Sequence, residues 1–279
     1  YNADSLMLHN DLYQINMAES YWNDGIHERI AVFDLYFRKM PFNSGYAVFN
    51  GLKRVVNFIE NFGFTNEDIT YLKSIGYEED FLNYLKDLKF TGNIKSMQEG
   101  EICFGNEPLL RVEAPLIQAQ LIETILLNII NFQTLIATKA SRIRQIATHD
   151  TLMEFGTRRA QEIDAALWGA RAAFIGGFDS TSNVRAGKLF NIPVSGTHAH
   201  ALVQTYGDEY IAFKKYAERH KNCVFLVDTF HTLKSGVPTA IKVAKELGDT
   251  INFIGIRLDS GDIAYLSKAV SYTHLRAHE

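Results

Sequence analysis

The chain lacks the residues of a disulfide framework, since its 279 residues include 2 cysteines. Cys103 and Cys223 are far apart, with no CxxC pair and no Cys/His zinc spacing, so two buried thiols are expected rather than a crosslink or a structural metal. A surplus of charge is lacking as well. Lys and Arg total 28 against 32 Asp and Glu, a formal net charge of -4. Nucleic acid and anionic membranes are therefore not expected as partners, and any phosphate ligand must be held by a local site. Nor is there a long uninterrupted apolar run. The most apolar stretch, residues 116–136, is broken by Gln118, Gln120, Glu123, Asn128, Asn131 and Gln133, which would be costly across a bilayer, and reads as a core helix. The opening segment, residues 2–17, carries Asp4, His9, Asn10 and Asp11 where a secretory leader would be apolar, so a cytoplasmic location is expected. Internal repeats and low-complexity tracts are missing too.

What is present suits a globular α/β chain. With 47% hydrophobic and 22% charged residues the chain can bury a sizeable core. Residues 29–39 partly alternate apolar and polar, which predicts a strand, whereas 46–61 and 66–88 read as helices. Residues 92–114 carry turn signals at Glu99-Gly100 and Gly105-Asn106, with Pro108 and Pro115 nearby, the pattern of a small antiparallel sheet. Residues 1–115 are thus expected to form an N-terminal α+β domain.

After Pro115 a helical run reaches His149, and short apolar strands at 151–155, 194–196, 224–227 and 253–256 then alternate with helices. Such alternation implies parallel strands, in a barrel or an open sheet, and either architecture places ligands at the carboxyl ends of the strands. Residues 116–270 are expected to form this second domain. The chain begins at Tyr1 and ends in SYTHLRAHE, residues 271–279, which shows no apolar periodicity and resembles translated adapter DNA. Both ends read as cut, and the last nine residues are expected to be a foreign tail outside the fold.

Each strand of the second domain is followed by polar residues suited to a ligand: Gly156-Thr157-Arg158-Arg159, Thr197-His198-Ala199-His200, Asp228-Thr229, and residues 257–262. One such cluster is as readily a helix cap. Four together offer cations for phosphate or carboxylate, carboxylates for sugar hydroxyls or magnesium, and a candidate nucleophilic imidazole.

EFGTRRAQ (154–161), GGFDSTSN (176–183), SGTHAH (195–200) and IRLDSGD (256–262) resemble the motifs of the nicotinate phosphoribosyltransferases, and the similarity runs from HNDLYQINMA to IRLDSGDIAYL. The resemblance implies an N-terminal sandwich-like domain and an irregular, here incomplete, α/β barrel of the type II phosphoribosyltransferase kind. It also implies transfer of phosphoribose from phosphoribosyl pyrophosphate to nicotinate, coupled to ATP hydrolysis, as the first step of NAD salvage from nicotinate. Phe155 would stack on the pyridine ring, with Tyr13 covering its other face from the second subunit of a homodimer with shared active sites. Arg158 would grip the nicotinate or the phosphates, and Arg159 is expected to be structural. His200 would be the histidine phosphorylated by ATP, since an imidazole nitrogen is nucleophilic when its other nitrogen is held by an acceptor. Asp228 and Asp259 would lie near the ribose and magnesium pyrophosphate, with Mg²⁺ shared with substrate rather than fixed by protein alone. Arg257, Ser260 and Gly261 would face the base and phosphates. His198 is unassigned by the resemblance, and His231 replaces an aspartate common in the family, so it is left out of the site as a cap or rim residue.

Thr181 and Ser182 would set the choice of pyridine. Nicotinamide-using relatives place a carboxylate near the position of Ser182, which would repel nicotinate, whereas a hydroxyl can donate to it. A nicotinamide or quinolinate phosphoribosyltransferase and an inactive binding paralogue stay open as alternatives. Taken alone, a histidine or a tyrosine is more often a core residue than a site residue. The resemblance also implies later barrel strands and a 5′-phosphate loop beyond residue 279, so these residues are expected to be inactive by themselves and prone to aggregate through open strand edges.

Overall fold

The computed structural model describes residues 5–276, with side chains described through 272; Asp4 and residues 277–279 lie outside the described residues. The chain divides into two compact units, Tyr1–Ser195 and Gly196–Glu279.

The first unit opens with α1 (Leu12–Asn23) and β1 (Ile30–Leu35), the strand expected from alternation. β1 alternates between exposed and half-buried positions, with Ile30 66% and Val32 55% exposed on its outer face. The helix expected from residue 46 begins later. Ala47–Val48 form β2, Gly51 turns the chain with φ 112, and α2 runs Leu52–Glu60. The single helix expected over 66–88 is two helices, α3 (Asn66–Ser74) and α4 (Glu79–Asp87). Thr65 and Asp68 close a capping box at the start of α3, and Gly76, with φ 108, breaks the run that apolar spacing alone carries through.

Next come β3 (Asn93–Ser96), β4 (Ile102–Cys103) and β5 (Leu110–Pro115). As the turn signals predict, the pairing is antiparallel: β1-β5-β3 form one sheet, with Ile30 opposite Pro115, and β2-β4 form a second ladder. Leu110, Val112 and Ala114 alternate inward from β5 onto α5 (Leu116–Ile146). α5 is long and apolar enough by length and composition to cross a membrane, but 56% of that window is buried inside the protein. Its polar breaks are used there: Gln118 Oε1 accepts the Thr91 amide at 2.8 Å, and Thr134 and Thr138 hydroxyls accept the Asn50 and Val48 amides.

Beyond α5 the unit continues as β6 (Met153–Glu154), α6 (Glu162–Ile175), β7 (Ser180–Thr181) and α7 (Val184–Phe190). β6 and β7 are parallel, and Val194 adds a parallel bridge to Thr181. The strand expected at 194–196 is thus this single bridged residue, while β7, two residues long, is too short for periodicity to reveal. Arg144, near the end of α5, fixes this layer by donating to the carbonyls of Gly177, Ala147 and Asp150 and pairing with Asp179.

The second unit holds α8 (His200–Tyr206), α9 (Glu209–Arg219), β8 (Asn222–Leu226), α10 (Val237–Leu247), β9 (Asn252–Arg257) and α11 (Ile263–Arg276). β8 and β9 are parallel and joined through α10, as the alternation predicts. Phe213, Phe225, Val227 and Val243 form its core, and Cys223, like Cys103 in the first unit, is a buried free thiol. Residues 271–276 of the segment expected to be a foreign tail continue α11; no Gly or Pro after Ile263 stops the helix.

Candidate active site

In the first unit the site residues sit where β6 and β7 end. Directly after β6 come Phe155, half-buried, and a single 3-10 turn, Thr157–Arg159. The turn is set by Glu154, one of whose carboxylate oxygens accepts the Gly156 amide while the other accepts the Thr181 hydroxyl at 2.8 Å. A Cβ at Gly156 would lie 2.7 Å from that carboxylate, so a larger residue there would push the Glu154 side chain aside. Arg158 is exposed and makes no ion pair among the described residues, which leaves its guanidinium open to an anion. Arg159 turns back, within 3.4 Å of the Phe155 carbonyl. Thr181 is fully buried, and its hydroxyl also accepts the Asn183 amide at 3.0 Å, so it holds the two strand ends together rather than facing a ligand. Ser182, next along and half-buried, donates its amide to the Glu154 carbonyl at 2.9 Å.

Tyr13 lies elsewhere in this unit, on α1. Its ring is 53% exposed and its hydroxyl accepts from Gln14 at 3.2 Å. It lines a cavity of about 440 Å³ with Asp11, Tyr36, Arg38 and Asn128.

In the second unit the residues cluster tightly. His200 is the first residue of α8, and its Nδ1 lies 3.0 Å from the Thr229 hydroxyl. Its Nε2 faces two carboxylates, Asp259 Oδ2 at 3.8 Å and Asp228 Oδ1 at 4.0 Å, both beyond hydrogen-bond distance. The His200 side chain is 36% exposed, so this nitrogen is reachable. Asp228 is fixed from one side: Oδ2 accepts the Asp259 amide and the Ser260 hydroxyl, each at 2.7 Å. Its Oδ1 is buried without a hydrogen-bond partner among the described residues. A buried carboxylate oxygen left so is costly unless a cation or donor arrives to meet it. Arg257, at the end of β9, spans from the Thr197 hydroxyl at 3.0 Å to Asp259 Oδ1 at 2.7 Å. Gly261 turns the loop with φ 77, and Asp262 accepts the Tyr265 amide to start α11. Among the described residues no group of three or more His, Cys, Asp and Glu side chains is set to hold a metal ion.

The two histidines left without a role are resolved by their surroundings. His198 is buried against Phe213 and Tyr216, and its Nε2 accepts the Leu226 amide at 3.1 Å. That nitrogen is therefore unprotonated, and burial pushes the ring's pKa below its ordinary value. His231 is exposed, and its Nδ1 accepts the Lys234 amide at 3.2 Å as the cap of the following turn. Thr229, Thr197 and Glu154 lie inside the motifs, but sequence reasoning gives none of them a role of its own, and the structure bonds them to His200, Arg257 and Thr181. Each partner is distant in the chain.

Short parallel strands joined through helices, β6 with β7 in the first unit and β8 with β9 in the second, make this an α/β protein, a class in which the carboxyl ends of strands hold ligands. Residues 8–131 match the nicotinate phosphoribosyltransferase N-terminal domain, and residues 151–276 match the nicotinate phosphoribosyltransferase family. The chain is 68% identical over 269 residues to nicotinate phosphoribosyltransferase of Bacillus subtilis (strain 168), covering 96% of this chain and 55% of that protein. It is 41% identical to the Dictyostelium discoideum nicotinate phosphoribosyltransferase, covering 93% of this chain and 51% of that one. The crystal structure of human nicotinic acid phosphoribosyltransferase superposes with a TM-score of 0.88 at 31% identity, over 96% of this chain and 64% of that one. The chain belongs to the nicotinate phosphoribosyltransferase family. It spans about half the length of the curated relatives it matches.

Proposed function

We propose that this chain carries the nicotinate-binding and phosphohistidine-bearing part of a cytoplasmic nicotinate phosphoribosyltransferase. The enzyme would join nicotinate to phosphoribosyl pyrophosphate, giving nicotinate mononucleotide and pyrophosphate, with ATP hydrolysis coupled through a phosphohistidine at His200. The carrying observation is the setting of His200, whose Nδ1 is held by Thr229 while Nε2 stays reachable between Asp228 and Asp259. With its Nδ1–H donated to Thr229, the ring keeps the Nε2 lone pair for attack on the terminal phosphate of ATP.

Asp228 and Asp259 suit Mg²⁺, which takes one or two carboxylates together with waters and substrate phosphates. The partnerless Asp228 Oδ1 fits that use. Bound there, the ion would neutralise pyrophosphate as it leaves. Arg257 would steady Asp259 and add positive charge for phosphate. In the first unit, Phe155 would stack on the pyridine and Arg158 would pair with its carboxylate. Ser182, a neutral donor, favours nicotinate over nicotinamide. Tyr13, half-exposed on α1, would cover the ring in a partner subunit's site, which makes the working form a homodimer.

Incubating the full-length protein with γ-labelled ATP should leave acid-labile, base-stable phosphate on His200. His200→Asn should abolish that label and uncouple nicotinate mononucleotide formation from ATP. Label that survives the substitution would sink the reading.

A further inference from the structure

We propose that Glu154 is a positioning residue of the pyridine site, buckling the loop that carries Phe155 and Arg158 to the end of β7. The inference rests on the reading of Phe155 and Arg158 as nicotinate contacts. Its own basis is a closed set of bonds. One oxygen of Glu154 takes the Gly156 amide, and the other takes the Thr181 hydroxyl at 2.8 Å. The Glu154 carbonyl takes the Ser182 amide at 2.9 Å, and the Thr181 hydroxyl in turn takes the Asn183 amide at 3.0 Å.

A carboxylate that accepts a backbone amide and a hydroxyl at once forms charge-assisted bonds, the stronger class. Both of its oxygens are therefore directed at the protein. A carboxylate in a site for an anionic base would otherwise repel its ligand, and turning it onto its own loop removes that conflict while using its acceptor capacity. The consequence is directional. With Gly156 and Thr181 held to one side chain, the residues between and after them, Phe155, Arg158 and Ser182, keep a fixed spacing. The bonds all lie within the first unit, whereas His200 and its carboxylates belong to the second. Loss of Glu154 should thus loosen base binding and leave phosphorylation of His200 intact.

The test uses the full-length enzyme with Glu154→Ala and Glu154→Gln. In Glu154→Ala the KM for nicotinate should rise roughly tenfold to a hundredfold, the scale of a small misplacement of a binding group. The rate of His200 labelling from ATP should stay within about twofold of wild type. Glu154→Gln should recover much of the nicotinate KM, because its amide oxygen can still accept from Gly156 and its NH₂ can donate to Thr181. A merely structural role would lower the folded fraction and depress both half-reactions together with KM unchanged; that result, or an unaltered nicotinate KM, overturns the proposal. Hydrogen exchange supplies a readout independent of substrate. In Glu154→Ala the amides of 155–161 and 181–183 should exchange faster, with 196–262 unaffected, and unchanged exchange at 155–161 also overturns it. If wild-type enzyme binds no nicotinate, the functional reading fails, and exchange alone decides the role of Glu154.

Discussion

Two histidines separated by one residue do opposite work, and the difference lies in what their nitrogens meet. His198 is buried, with Nε2 spent on the Leu226 amide and its pKa lowered first by burial, then by the charges of Arg257 and His200. His200 keeps Nε2 open. The linkage for His198 has a definite sign. Its folded pKa lies below the unfolded 6.5, so the unfolded chain binds more protons as pH falls through that value. Stability contributed by the neutral ring is present above about pH 6.5 and is lost as pH drops toward the lowered folded value. His198→Phe keeps the ring packing but leaves the Leu226 amide unmet, which should cost about 1–3 kcal/mol near neutrality. The same variant should flatten the fall in stability between about pH 7 and about pH 5, read by urea unfolding across that range. An unchanged slope would show that His198 does not titrate as its burial requires. The family resemblance singles out His200 and leaves His198 unassigned, and the role of His198 was not legible in the sequence because its partner amide is 28 residues further on.

At the scale of elements, the motifs were legible because each is contiguous and follows a strand, so EFGTRRAQ, SGTHAH and IRLDSGD could be placed from the sequence. The strands that join them were less so. β2 and β7 are two residues long, and no alternation can be read from two positions. The break between α3 and α4 was hidden because apolar spacing continues across Gly76. Close backbone approach is likewise invisible in sequence, and the loop from β8 to α10 depends on it. Gly236 has helical φ, yet a Cβ there would lie 1.8 Å from the Val227 carbonyl oxygen. Backbone cannot yield as a flexible side chain does, so Gly236→Ala must displace the loop that presents Asp228 and Thr229. It should destabilise the protein by about 3 kcal/mol, at the upper end for overpacking, and slow His200 labelling in parallel. Stability within about 0.5 kcal/mol of wild type would show that this approach is not needed.

For the whole molecule, a bound pyridine needs both faces covered, and Phe155 provides one candidate ring. Tyr13 is the other ring that the resemblance implies, and it stands 53% exposed, too open for a core residue of its size and available to a second copy. If the site is shared in a twofold dimer, the partner's Tyr13 and the first subunit's His200 serve the same turnover, and defects in the two residues should complement. Full-length Tyr13→Ala and His200→Asn proteins, each inactive alone, can be mixed under conditions that exchange subunits. Half of the dimers at equal mixing are then mixed, and each has one site with both residues intact and one with neither. The mixture should recover about a quarter of wild-type nicotinate mononucleotide formation. If Tyr13 instead acts within its own chain, every site in the mixture carries one defect, and activity stays at the level of the separate variants. Because Tyr13 is exposed, its truncation leaves the core of α1 intact, so a failure to complement can be assigned to the geometry of sharing once both variants are shown to be folded.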